Sequence, residues 1–258
     1  MVVLATKLYV EGDARERSLD SLRSLMANTL GDLDVDYEVG VRHDDFPSVT
    51  VAGDDAVVAR NLLREEWGEV TGEFEAGETY VGTLEHWDDD GFVLSAGEEI
   101  RVPADGIDLG PGSPEQVRER FGLVQHLPMR FVYGGERTDG SSERSERERR
   151  QTESAGSSRA SSDGTSDGDE DEPHRLADEE RDRLYDWPRG DGRVNVNSAT
   201  RGEVRATVNR AGHAQDIVTV ERLGLLEQSI VCTESTDPPG LLASIGQYLP
   251  AELRAVVP

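Results

Sequence analysis

The sequence predicts an α+β protein of several modules, and three observations predict it. Helix-like and strand-like periodicities alternate through residues 1–134 and again through 175–258. The order of those elements changes near residue 78, as though one unit ended and another began. Between the two patterned regions, residues 135–174 are Ser, Arg, Glu, Asp and Gly with almost nothing apolar. Such a stretch cannot bury enough surface to offset the entropy of ordering itself, so it reads as a disordered acidic tether. The rest of the 258 residues allows two or three small domains.

The first unit, residues 1–78, reads as βαββα. Residues 1–10 alternate weakly and form a strand. Leu19, Leu22, Leu25, Met26 and Leu30 recur at helical spacing, and Gly31 stops that helix. Residues 35–41 and 48–51 alternate as strands around a turn at 43–47. Asp54 or Asp55 caps a second helix that carries Val57, Val58, Leu62, Leu63 and Trp67.

Residues 79–134 follow a different pattern. Short strands at 80–84 and 91–94 flank the turn-rich Asp88-Asp-Asp-Gly91, and 99–103 is a third strand. Ser113 caps a helix over 114–121 with Pro114 at its first position, and 127–133 returns as a strand. This layout is that of a small OB-like β-barrel, with one strand after the helix where a complete barrel wants two. Another segment closes the barrel, or it is a half-barrel. Gly82, Gly91-Phe92-Val93 and Val102-Pro103 resemble the RNA-binding repeats of bacterial ribosomal protein S-one over about 25 residues.

Residues 175–258 read as a ferredoxin-like βαββαβ unit. Residues 176–184 are a short amphipathic helix or a continuation of the tether. A strand at 193–196, a helix at 200–210 with Val204 and Val208 inward, and a hairpin of 217–222 with 229–233 follow. A helix at 239–249 and a last strand at 254–257 complete it. A barrel followed by an α/β unit loosely resembles the alpha subunit of archaeal translation initiation factor two, although the long tether does not fit. The whole chain more closely resembles an archaeal family of conserved proteins without an assigned function.

Net charge is −26, from 53 acidic and 27 basic residues, and Lys7 is the one lysine. That balance resembles haloarchaeal proteins, whose acidic surfaces serve solubility more than they advertise a basic partner. At about 1 M salt the Debye length is roughly 3 Å. Nucleic-acid binding would then rest on contact hydrogen bonds and stacking, and an acidic chain does not exclude RNA. Cys232, the one cysteine, lies in an apolar strand-like run and reads as a buried thiol. The start has too short an apolar core for a signal peptide, and no run approaches the ~20 residues of a membrane span. The expected location is the cytoplasm.

Charge is uneven along the chain. The nets of 1–78, 79–134, 135–174 and 175–258 are −11, −6, −6 and −3. Within the least acidic segment, Arg189, Arg193, Arg201, Arg205 and Arg210 face only Asp191 and Glu203. Arg201 and Arg205, four apart, share a helix face beside its N-terminus, where phosphate could bind. Against that stands pairing of these arginines with their acidic neighbours. In the barrel, Trp87 and Phe92, with Tyr80 behind them, are candidates for stacking on bases. Phe92 reads equally as barrel core, Tyr80 as core, and Trp87 as exposed in its aspartate-rich turn.

His43-Asp44-Asp45 and His86 with Asp88, Asp89 and Asp90 have metal-ligand types but neither calcium-loop nor zinc-site spacing, so no metal and no cofactor are expected. His213 and Asp216 could pair as acid and base, with no nucleophile near in sequence; a helix C-cap explains His213 equally well. The expected function is a non-enzymatic RNA-binding factor of translation or RNA processing, with RNA or a protein complex as partner. The alternative is a protein–protein adaptor subunit of a larger complex. An enzyme on nucleotides or nucleic acid would need Asp44 or Asp88 for metal-dependent turnover.

Overall fold

The computed structural model describes residues 1–134 and 173–258. These form a mixed α+β structure of three sheets and seven helices. Residues 135–172, nearly all of the expected tether, lie outside the described residues.

The N-terminal sheet has the order β1-β3-β2, from β1 (Val2–Val3), β2 (Asp36–Val41) and β3 (Pro47–Ala52). Helix α1 (Gly12–Leu30) buries Ser18, Leu22, Met26 and Leu30, one side of a 3.6-residue period. Helix α2 (Ala56–Trp67) buries Ala59, Leu63 and Trp67. Val57 and Val58 point outward, contrary to expectation, because the stripe set by Ala59, Leu63 and Trp67 puts them on the opposite side. Asp55 precedes α2 without capping it, since its carboxylate accepts from the Asp34 backbone N–H instead.

The central sheet is a curled half-barrel of order β6-β5-β4-β7-β8. Its first strands are β4 (Thr79–Asp88), β5 (Gly91–Ser95) and β6 (Glu99–Pro103). Gly91 has φ 152°, and a Cβ there would run into the Val102 carbonyl oxygen, so the turn into β5 needs glycine. The one-turn helix α3 (Ala104–Ile107) and helix α4 (Pro114–Phe121) follow. Ser113 caps α4 with a complete capping box, and Pro114 opens it as expected. Strand β7 (Pro128–Val132) then pairs with β8 (Arg175–Leu176), which supplies the strand that the sequence left wanting.

Residues on both sides of 135–172 pack together. Gly134 N–H donates to His174 Nδ1 at 3.0 Å, so both described ends around 135–172 sit on one sheet. Helix α5 (Asp178–Asp186) follows β8, and Leu176, Leu184 and Trp187 belong to the half-barrel's core with Phe92, Phe121 and Phe131. Packing therefore assigns residues 175–187 to the central unit.

The C-terminal unit comprises β9 (Arg193–Val196), α6 (Arg201–Arg210), β10 (Ile217–Arg222), β11 (Gln228–Cys232), α7 (Pro238–Gly246) and β12 (Leu253–Val256). Its antiparallel sheet has the order β10-β11-β9-β12. Val194, Val196, Val220, Ile230 and the buried Cys232 pack with α6 and α7. The opposite side meets the central unit: Asn195 Nδ2 donates to the Gly122 carbonyl at 2.8 Å, and Val256 joins the half-barrel core.

The N-terminal and C-terminal units also interlock. Leu225 and Leu226, from the β10–β11 hairpin, enter the core formed by Leu4, Leu22, Met26, Leu63 and Trp67. Leu225 N–H donates to Thr6 Oγ1 at 2.9 Å, and Arg222 stacks on Trp67 at 4.1 Å. The described units thus share buried side chains. No described helix is long and apolar enough to cross a membrane.

Candidate functional site

Helix α6 carries the arginine surface expected from the sequence. Thr200 Oγ1 accepts from Glu203 N–H, and the Glu203 carboxylate accepts from Thr200 N–H at 2.9 Å, which closes a capping box. Arg17 of α1 also pairs with Glu203 at 3.0 Å. Partial burial pushes the Glu203 carboxyl upward, but Thr200 and Arg17 outweigh it and hold it below the ordinary carboxylate range. The acid nearest the α6 arginines is therefore engaged elsewhere. Val204, Thr207 and Val208 face inward, which turns Arg201, Arg205 and Arg210 out to solvent. None of the three has a carboxylate partner among the described residues.

The other expected residues sit in different surroundings. Arg193 lies along the sheet, 3.1 Å from Glu221 and over the Trp187 ring at 5.2 Å. Burial lowers its pKa against the pull of Glu221, and its role is to join sheet and α5. Arg189 is exposed but pairs with Asp186 at 3.2 Å. Phe92 is fully buried in the half-barrel, since every residue from Gly91 to Leu94 is covered on either face of β5. Trp87, expected to be exposed, is half-buried at the end of β4, with the Arg118 guanidinium 3.6 Å over its ring. Arg118 in turn pairs with Glu115 and Glu252. Tyr80 packs on Phe74 and Phe131, as expected of a core residue. Phe92 is thus covered, Trp87 and Tyr80 are partly covered, and the α6 arginines are exposed.

Beside α6 lies a cleft of about 420 Å³. Ser21, Leu25 and Asn28 of α1, Glu66 of α2, Arg201 of α6, and Arg222 and Gln228 of the hairpin strands line it. Arg222 pairs with Glu66, and Thr29 Oγ1 donates to the same carboxylate at 2.9 Å. Gln228 is fully buried; its Nε2 donates to the carbonyls of Ala199 and Leu225 at 3.3 and 3.2 Å. Gln228 Oε1 and Arg222 Nη1, both buried, have no hydrogen-bond partner among the described residues.

A second polar cluster occupies the junction of the three units. Lys7 Nζ is 2.8 Å from Glu85, and His126 Nδ1 is 3.2 Å from it. Burial alone would raise the Glu85 carboxyl, but His126, Lys7 and Thr83 hold it down to about 2. The His126 ring lies 3.9 Å from that of Tyr9, whose hydroxyl donates to Glu227 Oε1 at 2.8 Å and accepts from Ser198 N–H at 2.8 Å. Burial pushes the Glu227 carboxyl up to about 8 and raises the Tyr9 pKa as well. His126 and Ser198 both adopt positive φ, 65° and 57°, a backbone form costly outside glycine. These residues link the three units, and Glu227 Oε2 within the cluster has no hydrogen-bond partner among the described residues.

The expected acid–base pair exists, with His213 Nδ1 2.6 Å from Asp216. Its Nε2 lies 2.7 Å from Ser244 Oγ, so the fold supplies the hydroxyl that sequence proximity did not. Ser244 sits within α7, where neighbouring backbone N–H groups serve the helix and none is free to stabilise an oxyanion. The trio ties the end of α6 to α7. At the aspartate clusters, Asp44 pairs with Arg42, Asp45 with Arg15 and Asp88 with Arg101. Among the described residues, no group of three or more His, Cys, Asp or Glu is arranged to hold a metal ion.

Sequence reasoning missed Arg222, Glu227 and Gln228, because two polar residues after Leu225-Leu226 look like an exposed hairpin loop. Lys7, the one lysine, carried a signal only in its rarity. Three family models match the chain: the DUF2110 N-terminal domain over residues 1–73, the central domain over 74–154 and the C-terminal domain over 191–257. No curated protein matches it.

Proposed function

We propose that this chain, which belongs to the DUF2110 family, is a non-enzymatic RNA-binding factor that grips the phosphate backbone on the outer face of α6. Membership in the family supplies no activity, so the reading rests on the α6 surface. The observation that carries it is that Arg201, Arg205 and Arg210 stay exposed, without carboxylate partners among the described residues, in a chain of net charge −26. Elsewhere most arginines pair with acids, as Arg15, Arg23, Arg42, Arg64 and Arg101 do. Guanidinium groups held free of local acids are suited to bidentate phosphate contacts. Gly202 and Ala206 lie between them on the exposed side and leave room for a backbone to approach.

We read the C-terminal unit as ferredoxin-like and the half-barrel as OB-like, from their strand orders. In RNA-recognition sheets of that kind, bases stack on the open face. Here that face packs on the central unit through Asn195 and Val256. RNA would therefore meet the helical side, with little base readout and little sequence preference. Translation or RNA processing in a halophilic cytoplasm is the setting such a factor suits.

Changing both Arg201 and Arg205 to Glu is expected to weaken binding to single-stranded RNA by about tenfold or more and to flatten its salt dependence. Anisotropy titrations at several salt concentrations measure both, with circular dichroism to verify folding. Unchanged affinity would remove α6 from the interface. The adaptor reading draws on one observation, the neighbouring exposed Val57 and Val58 on α2. Co-purification of a protein partner that survives nuclease and is lost in the Val57→Ser, Val58→Ser double variant would favour it.

A further inference from the structure

We infer that the tip of the β10–β11 hairpin is a latch whose seating depends on the ionisation of Glu227: when that carboxyl loses its proton, the tip withdraws from the N-terminal unit while the sheet behind it stays folded. The geometry of the joint carries this. The Leu223 and Gly224 N–H groups donate to the Glu227 carbonyl at 2.9 and 3.0 Å, so residues 223–227 close on themselves. The tip they form enters the N-terminal core through Leu225 and Leu226. Glu227, at its base, is fully buried. Its Oε1 accepts from the Tyr9 hydroxyl at 2.8 Å, and its Oε2 has no hydrogen-bond partner among the described residues. Gly224 and Pro128 crowd Oε2: a Cβ on Gly224 would lie 2.2 Å from it and 3.0 Å from the Pro128 ring. A neutral carboxyl is tolerated in that setting, whereas a charged one is costly.

The charged groups around Glu227 are committed elsewhere. Glu85 of β4 acts on it with like charge, and is itself held by Lys7 at 2.8 Å and approached by His126 at 3.2 Å. On the hairpin, Arg222 pairs with Glu66 of α2. Burial dominates and lifts the Glu227 carboxyl to about 8, against the Tyr9 hydroxyl and the backbone N–H groups of Leu226 and Glu227. Burial also raises Tyr9, whose hydroxyl therefore keeps its proton through that range.

The links that seat the tip are separable from those that hold its sheet. Besides the two leucines, they are the Leu225 N–H bond to Thr6 Oγ1, the Tyr9 bonds to Glu227 and Ser198, and the rim pairs Arg222–Glu66 and Arg17–Glu203. Strands β10 and β11 are anchored independently, by their own ladder, by β9 and by the core of Val194, Val220 and Ile230. Withdrawing the tip brings Glu227 to water without melting that sheet, and so costs less than global unfolding. The latch stands or falls independently of the RNA reading.

Hydrogen exchange of single amides in the full chain, read by NMR at about pH 6 and about pH 8.5 and corrected for intrinsic exchange, tests this. The Leu225 and Ser198 amides donate across the joint, to Thr6 and Tyr9, and are expected to lose protection by about tenfold or more at the higher pH. The Leu4, Leu84 and Cys232 amides donate within their own units, to Pro47, Leu127 and Gly192, and should keep theirs. Glu227→Gln cannot ionise and keeps an acceptor for Tyr9, so protection at Leu225 and Ser198 should no longer change with pH. Glu227→Met, also unable to ionise, serves the same purpose if the Gln variant does not fold at pH 6. His126 remains in both variants, so a response belonging to it would survive there. The inference is overturned if wild-type Leu225 and Ser198 are equally protected at the two pH values, if protection falls alike in every unit, or if the loss persists in a folded variant at position 227.

Discussion

Leu226→Ala is expected to lower the free energy of unfolding by about 2–5 kcal/mol, the range for truncating a fully buried leucine whose surroundings collapse only in part. Leu226 sits on the C-terminal hairpin, yet its side chain is fully buried in the core of the N-terminal unit among Leu22, Met26 and Trp67. Its backbone is held as well: the Leu226 carbonyl accepts from Ala199 N–H at 3.2 Å, and Leu225 N–H reaches Thr6. The core therefore cannot follow the shortened side chain without breaking those bonds. Leu226→Asp should do more, by leaving an unpaired charge where water is excluded. Val218→Ala, two-thirds exposed on the same hairpin, should change stability by no more than about 0.5 kcal/mol. Urea unfolding measures all three. Equal stabilities for Leu226→Ala and Val218→Ala would mean that the hairpin does not hold the two units together in solution.

The second large effect is on pH dependence. Glu227 is fully buried, and burial lifts its carboxyl from 4.5 to about 8. Between those values the folded protein holds a proton that the unfolded chain has released. Its contribution is intact below about 4.5, and declines as pH rises through the folded-state value, by about 1.4 kcal/mol per pH unit. Above that value the contribution is flat. Over the full interval the loss is roughly 3–5 kcal/mol. Glu85 acts oppositely: held down to about 2, its carboxylate adds stability that is complete above 4.5 and lost as pH falls toward that lower value. The junction is therefore most stable near the point where both effects are satisfied, at mildly acid pH. Glu227→Gln keeps an acceptor for the Tyr9 hydroxyl and cannot ionise, so the decline from mildly acid to mildly alkaline pH should disappear. Urea titrations across that interval check it. A wild-type slope that persists in Glu227→Gln would assign the titration to another group.

Much of the local structure was legible in the residues, and for a local reason. The bounds of β6 and β9, the Ser113 cap with Pro114 behind it, and the inward Val204 and Val208 follow from alternation, capping chemistry and helical period within a few residues. So does the outward turn of Arg201 and Arg205. What those patterns say is that a face is covered; they do not say by what. Trp87 looked exposed, and Phe92 as much surface as core, because nothing near them in sequence covers them, whereas Arg118 and the half-barrel core do. Arg193 looked like a phosphate contact until Glu221 and Trp187 were found beside it. Ser244 meets His213 across 31 positions, β8 meets β7 across a stretch of forty residues that looked like a divider, and Tyr9 meets Glu227 across 218. The sequence by itself determined the element types, the uneven charge and the exposed arginine face of α6. Only the tertiary structure decided which arginines pair with acids among the described residues and where the units join. Long-range contacts are selected by the packing of the whole chain, and no local period encodes their partners.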